Sequence, residues 1–433
     1  MLRWVAALGL LAGVLPAQQL TLAPKGPFHV VEGRLIDSLG RPFLIRGTEL
    51  PEFRPETVAH HERNGEDFGA YSGTSLSAIR LRFNLNAVLL PIAEPSPELA
   101  RVVRRANDLE LLVIVPGEVP ESLRGMPNVV SEKGIELARG WAPDFDDPEA
   151  CAQLPRDPAA LTRSVVAKLK DFDARGVSWI APRYEAGVLV DDLFLQDGTS
   201  PESGWTCGGA PGERPGIGRI IQAYLREAEY RGLFVVSASG GLELPRGGFG
   251  IAYGPAMGAV SVDVTDSAGV TRKAVTPFSS PAWGQINFVV PPASAAGPAR
   301  MTVTRADGTR IMARITIADT APGFWTGVSC AGPAAGWSGG KKISECGGWR
   351  CETLPVASNK VRLMGSGFRN AAAGDIEVLV GGVKARVLSY GAAGPAGIDQ
   401  LTIEVPKTAL GQGETDVVCR VRGRIANVVR LRV

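Results

Sequence analysis

Six cysteines and three histidines set the limits of the chemistry open to this 433-residue chain. The cysteines are Cys151, Cys207, Cys330, Cys346, Cys351 and Cys419. None has the paired CxxC spacing of a zinc site, and an even number suggests disulfides in an oxidising compartment. The histidines are His29, His60 and His61. They are too few for a His-rich metal centre and leave little from which to build a His-dependent triad. His60 and His61 stand in a charged stretch beside Glu62 and Arg63, where solvated side chains are the default. No metal and no cofactor are expected.

The N-terminus agrees with that compartment. Arg3 is followed by the apolar run Val5 to Leu15, and Leu15-Pro16-Ala17 before Gln18-Gln19 has the form of a signal-peptidase site. Residues 1–17 are therefore read as a signal peptide, with Gln18 as the first mature residue. The run is too short to span a bilayer, and no later segment is long and apolar enough. N-terminal sequencing of exported material is expected to start near Gln18; an intact Met1 would refute this.

With 45% hydrophobic and 21% charged residues, the chain can bury two or three cores. The net charge of +2 gives no reason to expect nucleic-acid binding. From residue 253 onward there are 20 Lys/Arg and 12 Asp/Glu, against 26 and 32 before it, so the two parts differ in sign.

The positioning elements fall into two classes. The C-terminal part alternates with period two at Val260/Val262/Val264, Ile286/Phe288/Val290, Ile311/Ala313/Ile315/Ile317, Leu401/Ile403/Val405 and Val417/Cys419/Val421. Asp307-Gly308 reads as a hairpin turn. Residues 285–291 and 400–406 form an internal repeat of the size of two related sandwiches. Residues 326–355, rich in Gly, Ser, Trp and Cys, read as a connecting loop. The N-terminal part alternates strands and helices. Leu111 to Val115 is a continuous apolar strand, whereas Leu99/Val102/Val103/Ala106 and Leu161/Val165/Val166/Leu169/Phe172 are helix faces. That pattern argues for βα units and a parallel sheet or barrel.

Several segments are familiar in order. Gly33-Arg34-Leu35-Ile36-Asp37, Gly40 to Gly47, Asn86 to Ile92, Gly176 to Ala181 and Gly204-Trp205-Thr206-Cys207-Gly208 resemble pieces of glycoside hydrolase family 5, the cellulase-type barrels. The run Asn128 to Gly134 resembles that family's seventh strand, which makes Glu132 a candidate nucleophile. Glu185 and Glu118, near the ends of neighbouring strands, are weaker carboxylate candidates. Trp179, Asn86 and Arg46 are candidate sugar-contacting residues, with a packed strand-end tryptophan the alternative for Trp179. The family's acid/base Asn-Glu-Pro motif has no counterpart, Leu89 stands where an arginine is usual, and roughly 200 residues replace the ~250 of a full barrel. Placed against these units, Cys151 and Cys207 are expected to pair, Cys346 and Cys351 to pair within the loop, and Cys330 to pair with Cys419. Cys419 also lies on an apolar strand face and fits a buried thiol. At the other end, Ser280-Pro281, Gln285 to Phe288, Val290-Pro291, Ala321 to Phe324 and Val361 to Phe368 resemble an uncharacterised Ig-like, IPT/TIG-type domain family of exported soil-bacterial proteins.

The expected architecture is multidomain. An incomplete α/β TIM-barrel-like domain (25–235) precedes two all-β Ig-like sandwiches (236–325 and 356–433) joined by the 326–355 loop. The expected function is an exported protein that binds polysaccharide or a cell-surface glycan, with little or no glycosidase turnover. An active retaining glycosidase and an extracellular adhesion or scaffold protein are the alternatives. The missing acid/base motif favours the first and last of these.

Overall fold

The computed structural model describes residues 21–56, 69–142, 149, 152–191, 198–199, 216–226, 233–254, 259–281, 284–326, 332–347 and 350–433. The signal peptide, His60, His61, Cys151, Cys207 and Cys330 lie outside the described residues. Two short strands open the described chain, β1 (His29–Val31) and β2 (Arg34–Ile36). They are followed by β3 (Arg46–Glu49), β4 (Ala87–Leu89), β5 (Leu112–Val115), β6 (Val129–Ser131), β7 (Leu137–Ala138) and β8 (Ser178–Ala181). Strands β3 to β8 make one curled parallel sheet in the order β6-β5-β4-β3-β8-β7.

Both faces of this sheet are covered. Ile45, Ala87, Leu89, Leu112, Ile114 and Ile180 point to the concave side, where Leu35 of the β1–β2 hairpin and Phe43 pack against them. Val88, Val113, Val115, Trp179 and Ala181 point to the helical layer. That layer holds α1 (Gly73–Ser77), α2 (Pro97–Asp108), α3 (Pro158–Arg175) and α4 (Gly218–Leu225). Helix α2 begins where Ser96 accepts from the Leu99 N–H and Pro97 occupies the first turn. It buries Leu99, Val102, Val103 and Ala106, the stripe that the spacing marks out. Helix α3 is capped by Asp157 and ends at Gly176 in the left-handed region. One placement differs from the sequence reading. The strand before Glu132 pairs with the third strand, β5, and so takes the fourth place in the sheet rather than a seventh.

Two pairs of mainly antiparallel sheets follow, in keeping with a sandwich layout. In the first pair, Val262, Val264, Ile286, Phe288, Met301, Val303, Ile315 and Ile317 fill the space between the sheets. Its strands Gly297–Arg305 and Arg310–Ala318 are joined at Asp307-Gly308, as expected. In the second pair, Val361, Leu363, Val378, Val380, Leu401, Ile403, Val417, Val429 and Leu431 do the same. The 326–355 segment is more than a connection. It contributes strands Gly332–Pro333, Gly336–Ser338 and Lys341–Lys342 to the second pair, and the hairpin Ser344–Gly347 with Arg350–Thr353. Strands of two to four residues are too short for alternation to register. Cys346 and Cys351 face each other across that hairpin and are disulfide-bonded, as expected. Cys419 corrects the other pairing: it is a free thiol, buried in the second core. Among the described residues, no helix is long and apolar enough to cross a membrane.

A buried carboxylate organises the first sandwich. Asp266 accepts from the backbone N–H groups of Ala295 (2.9 Å), Val270 (3.0 Å) and Ala268 (3.0 Å) and from the Arg272 guanidinium (2.5 Å). The Ala295 N–H leads in lowering its pKa; burial opposes, and Val270, Arg272 and Ala268 reinforce, so the carboxyl is held at about 2. An unfolded Asp titrates near ~3.9. The stabilisation is therefore complete above that value and is lost as pH falls toward about 2. Thermal melts from pH 5 to pH 2 are expected to fall more steeply for the wild type than for Asp266→Asn. Parallel slopes would refute the assignment.

The second sandwich is docked on the helical layer by one strand face. In Glu414–Val421, the residues Val417, Cys419 and Val421 point into the sandwich core. Their alternates Asp416, Val418 and Arg420 turn to α2. Arg105 donates to both Asp416 oxygens at 2.9 Å, and Arg420 donates to the Asp108 carbonyl at 3.1 Å. Val418, Ile425 and Val428 join the apolar layer of the α/β region.

Candidate functional site

The C-terminal ends of parallel strands are where such sheets present catalytic and binding side chains. Here alternation sends Gly47 and Glu49 of β3 to the concave side, while Arg46 and Thr48 face out. Glu132 follows β6, and Arg139 follows β7. Arg139 joins the two carboxylates. It donates to Glu132 at 3.0 and 3.2 Å and to Glu49 at 3.1 Å. All three side chains are partly exposed. Burial pulls the Arg139 guanidinium downward, but the hydrogen bond and charge of Glu132, then those of Glu49, outweigh it and hold the group above its ordinary value.

The backbone fixes these positions. The Glu132 N–H donates to Val115 O, anchoring the residue to β5 at 2.9 Å. Ser131 Oγ donates to Gly117 O and accepts from the Lys133 N–H, which shapes the turn beyond it. The chain then descends past the β1–β2 hairpin, where the Glu136 N–H donates to Gly33 O, before rising again through β7 to Arg139. Glu49 O accepts from the Tyr184 N–H at 2.7 Å, tying the end of β3 to the segment after β8.

Of the residues singled out from the sequence, Glu132 alone lies in this cluster. Glu185 sits beyond β8 in a turn, half-exposed, 3.6 Å from Arg183. Its carbonyl accepts from Val188, Leu189 and Val190 N–H groups. Glu118 is exposed on the loop after β5. The Trp179 side chain is fully buried on the outer face, edge-on to Trp141 and under the Arg46 guanidinium. Arg46 and Asn86 lie at the opposite ends of their strands from the carboxylates. Arg46 is buried and donates to Asp173 and to the Ile45 and Val177 carbonyls. Asn86 is buried, accepts from the Arg46 N–H and donates to Leu44 O. Both hold the sheet together rather than face its mouth.

Glu49 and Arg139 were not anticipated. The segment singled out in the sequence ends at Gly47, two residues short of Glu49. The strand that lifts Arg139 is two residues long and leaves no periodic trace. A signal for Glu49 exists in the alternation itself, since a strand extended by two residues puts it on the same face as Ile45 and Gly47.

No protein-family model matches the chain, and no curated protein sequence matches it. Among solved structures it is similar to SGBP-B of the Bacteroides ovatus mixed-linkage glucan utilization locus, in complex with mixed-linkage heptasaccharide. The identity is 13% and the TM-score 0.23, over 44% of this chain and 42% of that one. The chain thus spans less than half the length of that protein. A thermostable, highly halotolerant GH5 cellulase from an Icelandic hot spring isolate is similar at 12% identity and a TM-score of 0.18, over 48% of this chain and 70% of the cellulase.

Proposed function

We propose that this is an extracellular glycan-binding protein that holds a sugar chain at the mouth of its parallel sheet without cleaving it. The observation that supports this reading is the single guanidinium, Arg139, donating to both Glu49 and Glu132. A retaining glycosidase needs one carboxyl to give a proton and a second to attack. A guanidinium only donates, so it engages both carboxyls as hydrogen-bond acceptors and links them to each other. A cluster of fixed acceptors and donors can still meet sugar hydroxyls, which requires no proton transfer. The Cys346–Cys351 disulfide is consistent with an extracellular site of action.

The test is a binding and hydrolysis screen of the mature protein against β-glucans, mannans and xylans. The expected result is binding without turnover, weakened about tenfold in Arg139→Gln by the loss of charge-assisted hydrogen bonds. The alternative reading is an active glycosidase using Glu49 and Glu132 after substrate displaces Arg139. Turnover at an ordinary rate of about 1–1000 per second, abolished by Glu132→Gln, would establish it and overturn the proposal.

A further inference from the structure

The outward face of the second sandwich carries a tryptophan that no core uses. In Gly336–Ser338 the outer two residues are buried, while Trp337 between them is 40% exposed. Cross-strand partners in an antiparallel sheet share a face. Trp337 pairs with Lys342 on one side and Arg362 on the other, Arg362 pairs with Thr402, and Thr402 with Ser389. These five residues form one row across five strands. The neighbours of Arg362 and Thr402 along their strands, Val361, Leu363, Leu401 and Ile403, fill the core behind. The next row holds Lys360, Glu404 and Arg386 in register. Glu404 accepts there from Arg386 (2.7 Å) and Asn359 (3.1 Å), so its charge is already matched. The face around the indole is therefore cationic.

The platform is stiff. Gly339 (φ 55°) and Gly340 (φ 79°) make the two-residue turn that joins Gly336–Ser338 to Lys341–Lys342, and both need the left-handed region that glycine reaches without strain. A Cβ at Gly336 would lie 2.0 Å from Arg362 O, so the strand sits closer to its neighbour than any side chain would allow.

We propose that this face binds an acidic polysaccharide built of uronic acids, at a site separate from the Glu49–Arg139–Glu132 mouth. The indole offers a flat apolar plate to the C–H face of a pyranose ring. Lys342 and Arg362, one on each side of it, pair with the carboxylates along the chain, and Arg362 can do so through both ends of its fork. Thr402 and Ser389 continue the row with hydroxyls suited to sugar hydroxyls. A protein partner fits less well, because lysine is depleted at interface cores. Single-stranded nucleic acid is read by several aromatic rings in succession, and this row has one.

The test uses the full chain and measures affinity for polygalacturonate, a neutral β-glucan and a single-stranded oligonucleotide at low and high salt. The wild type is expected to bind polygalacturonate most tightly, with affinity falling as salt rises. Trp337→Ala is expected to weaken it about tenfold or more, and Arg362→Glu at least as much, both without change in melting temperature. Arg139→Gln is expected to leave this binding intact. Absence of polygalacturonate binding, tighter binding of the oligonucleotide or of the neutral glucan, or loss with Arg139→Gln but not with Trp337→Ala would each overturn the proposal. The last of these would move the ligand to the mouth.

Discussion

Replacing Asp416 by alanine is expected to destabilise the protein by about 3 kcal/mol, the lower end of what breaking a buried ion pair costs. Asp416 and Arg105 meet through two hydrogen bonds of 2.9 Å, with the arginine side chain almost wholly buried. Alanine removes both acceptors and leaves the largely buried guanidinium without its bidentate partner, in a seam where Val418, Ile425 and Val428 join the apolar layer. The charge on Asp416 is itself a product of the seam. Burial alone would raise its pKa, but the charge and hydrogen bonds of Arg105, together with the charges of Arg430 and Arg101, outweigh that and hold the carboxyl below its ordinary value. The stabilisation is then present above the unfolded value and is lost as pH falls below it. Urea unfolding at pH 7 should show the loss in Asp416→Ala, and a much smaller loss in Arg105→Met/Asp416→Leu, where both charges leave together. Equal losses would mean that the seam owes nothing to the pair.

The elements were legible where period and length were both sufficient. Val262/Val264, Ile286/Phe288 and Leu401/Ile403 are buried in their cores as their alternation requires. The face of α2 is the one that the 3.6-residue period marks, and α3 buries Leu161, Val165, Leu169 and Phe172 of its marked face while Val166 stays partly buried at its border. Cys419 is instructive, because its place between Val417 and Val421 already made it a core residue, and the core is where its thiol lies. Burial pushes that thiol above its ordinary range, so it is a poor nucleophile.

The site was less legible for a physical reason. A parallel sheet covered on both faces has apolar residues pointing both ways, so composition does not say which side a residue takes. Trp179 could be placed on a strand but not on a face, and Glu132 could be placed after a strand but not beside its neighbour. Strand order decides which carboxylates meet, and that order is set by long-range pairing that no local window contains. The partner of Glu132 is Arg139, only seven residues away, yet they meet because the chain descends and returns between β6 and β7.

Trp179→Ala distinguishes a packed tryptophan from a sugar platform more sharply than any other change at this end of the molecule. The indole is fully buried, and Trp141 meets it edge-on with ring centroids 5.9 Å apart. The Arg46 guanidinium lies over it at 5.6 Å from the ring centroid. Trp141 is itself fixed, donating from Nε1 to Ile180 O at 2.7 Å, so it cannot swing in to fill the space. Truncation of a large buried aromatic typically costs about 3–5 kcal/mol, through lost transfer energy and the cavity left behind. The loss is expected near the upper part of that range, because Arg46 also loses the aromatic face that covers it. Trp179→Phe keeps most of the volume and is expected to lose less than half as much. Denaturant melts measure both, and glycan binding is measured at a temperature where each variant remains folded. Unchanged affinity per folded molecule is the expected result. A variant that keeps its stability but no longer binds glycan would return Trp179 to the role of a sugar-contacting residue.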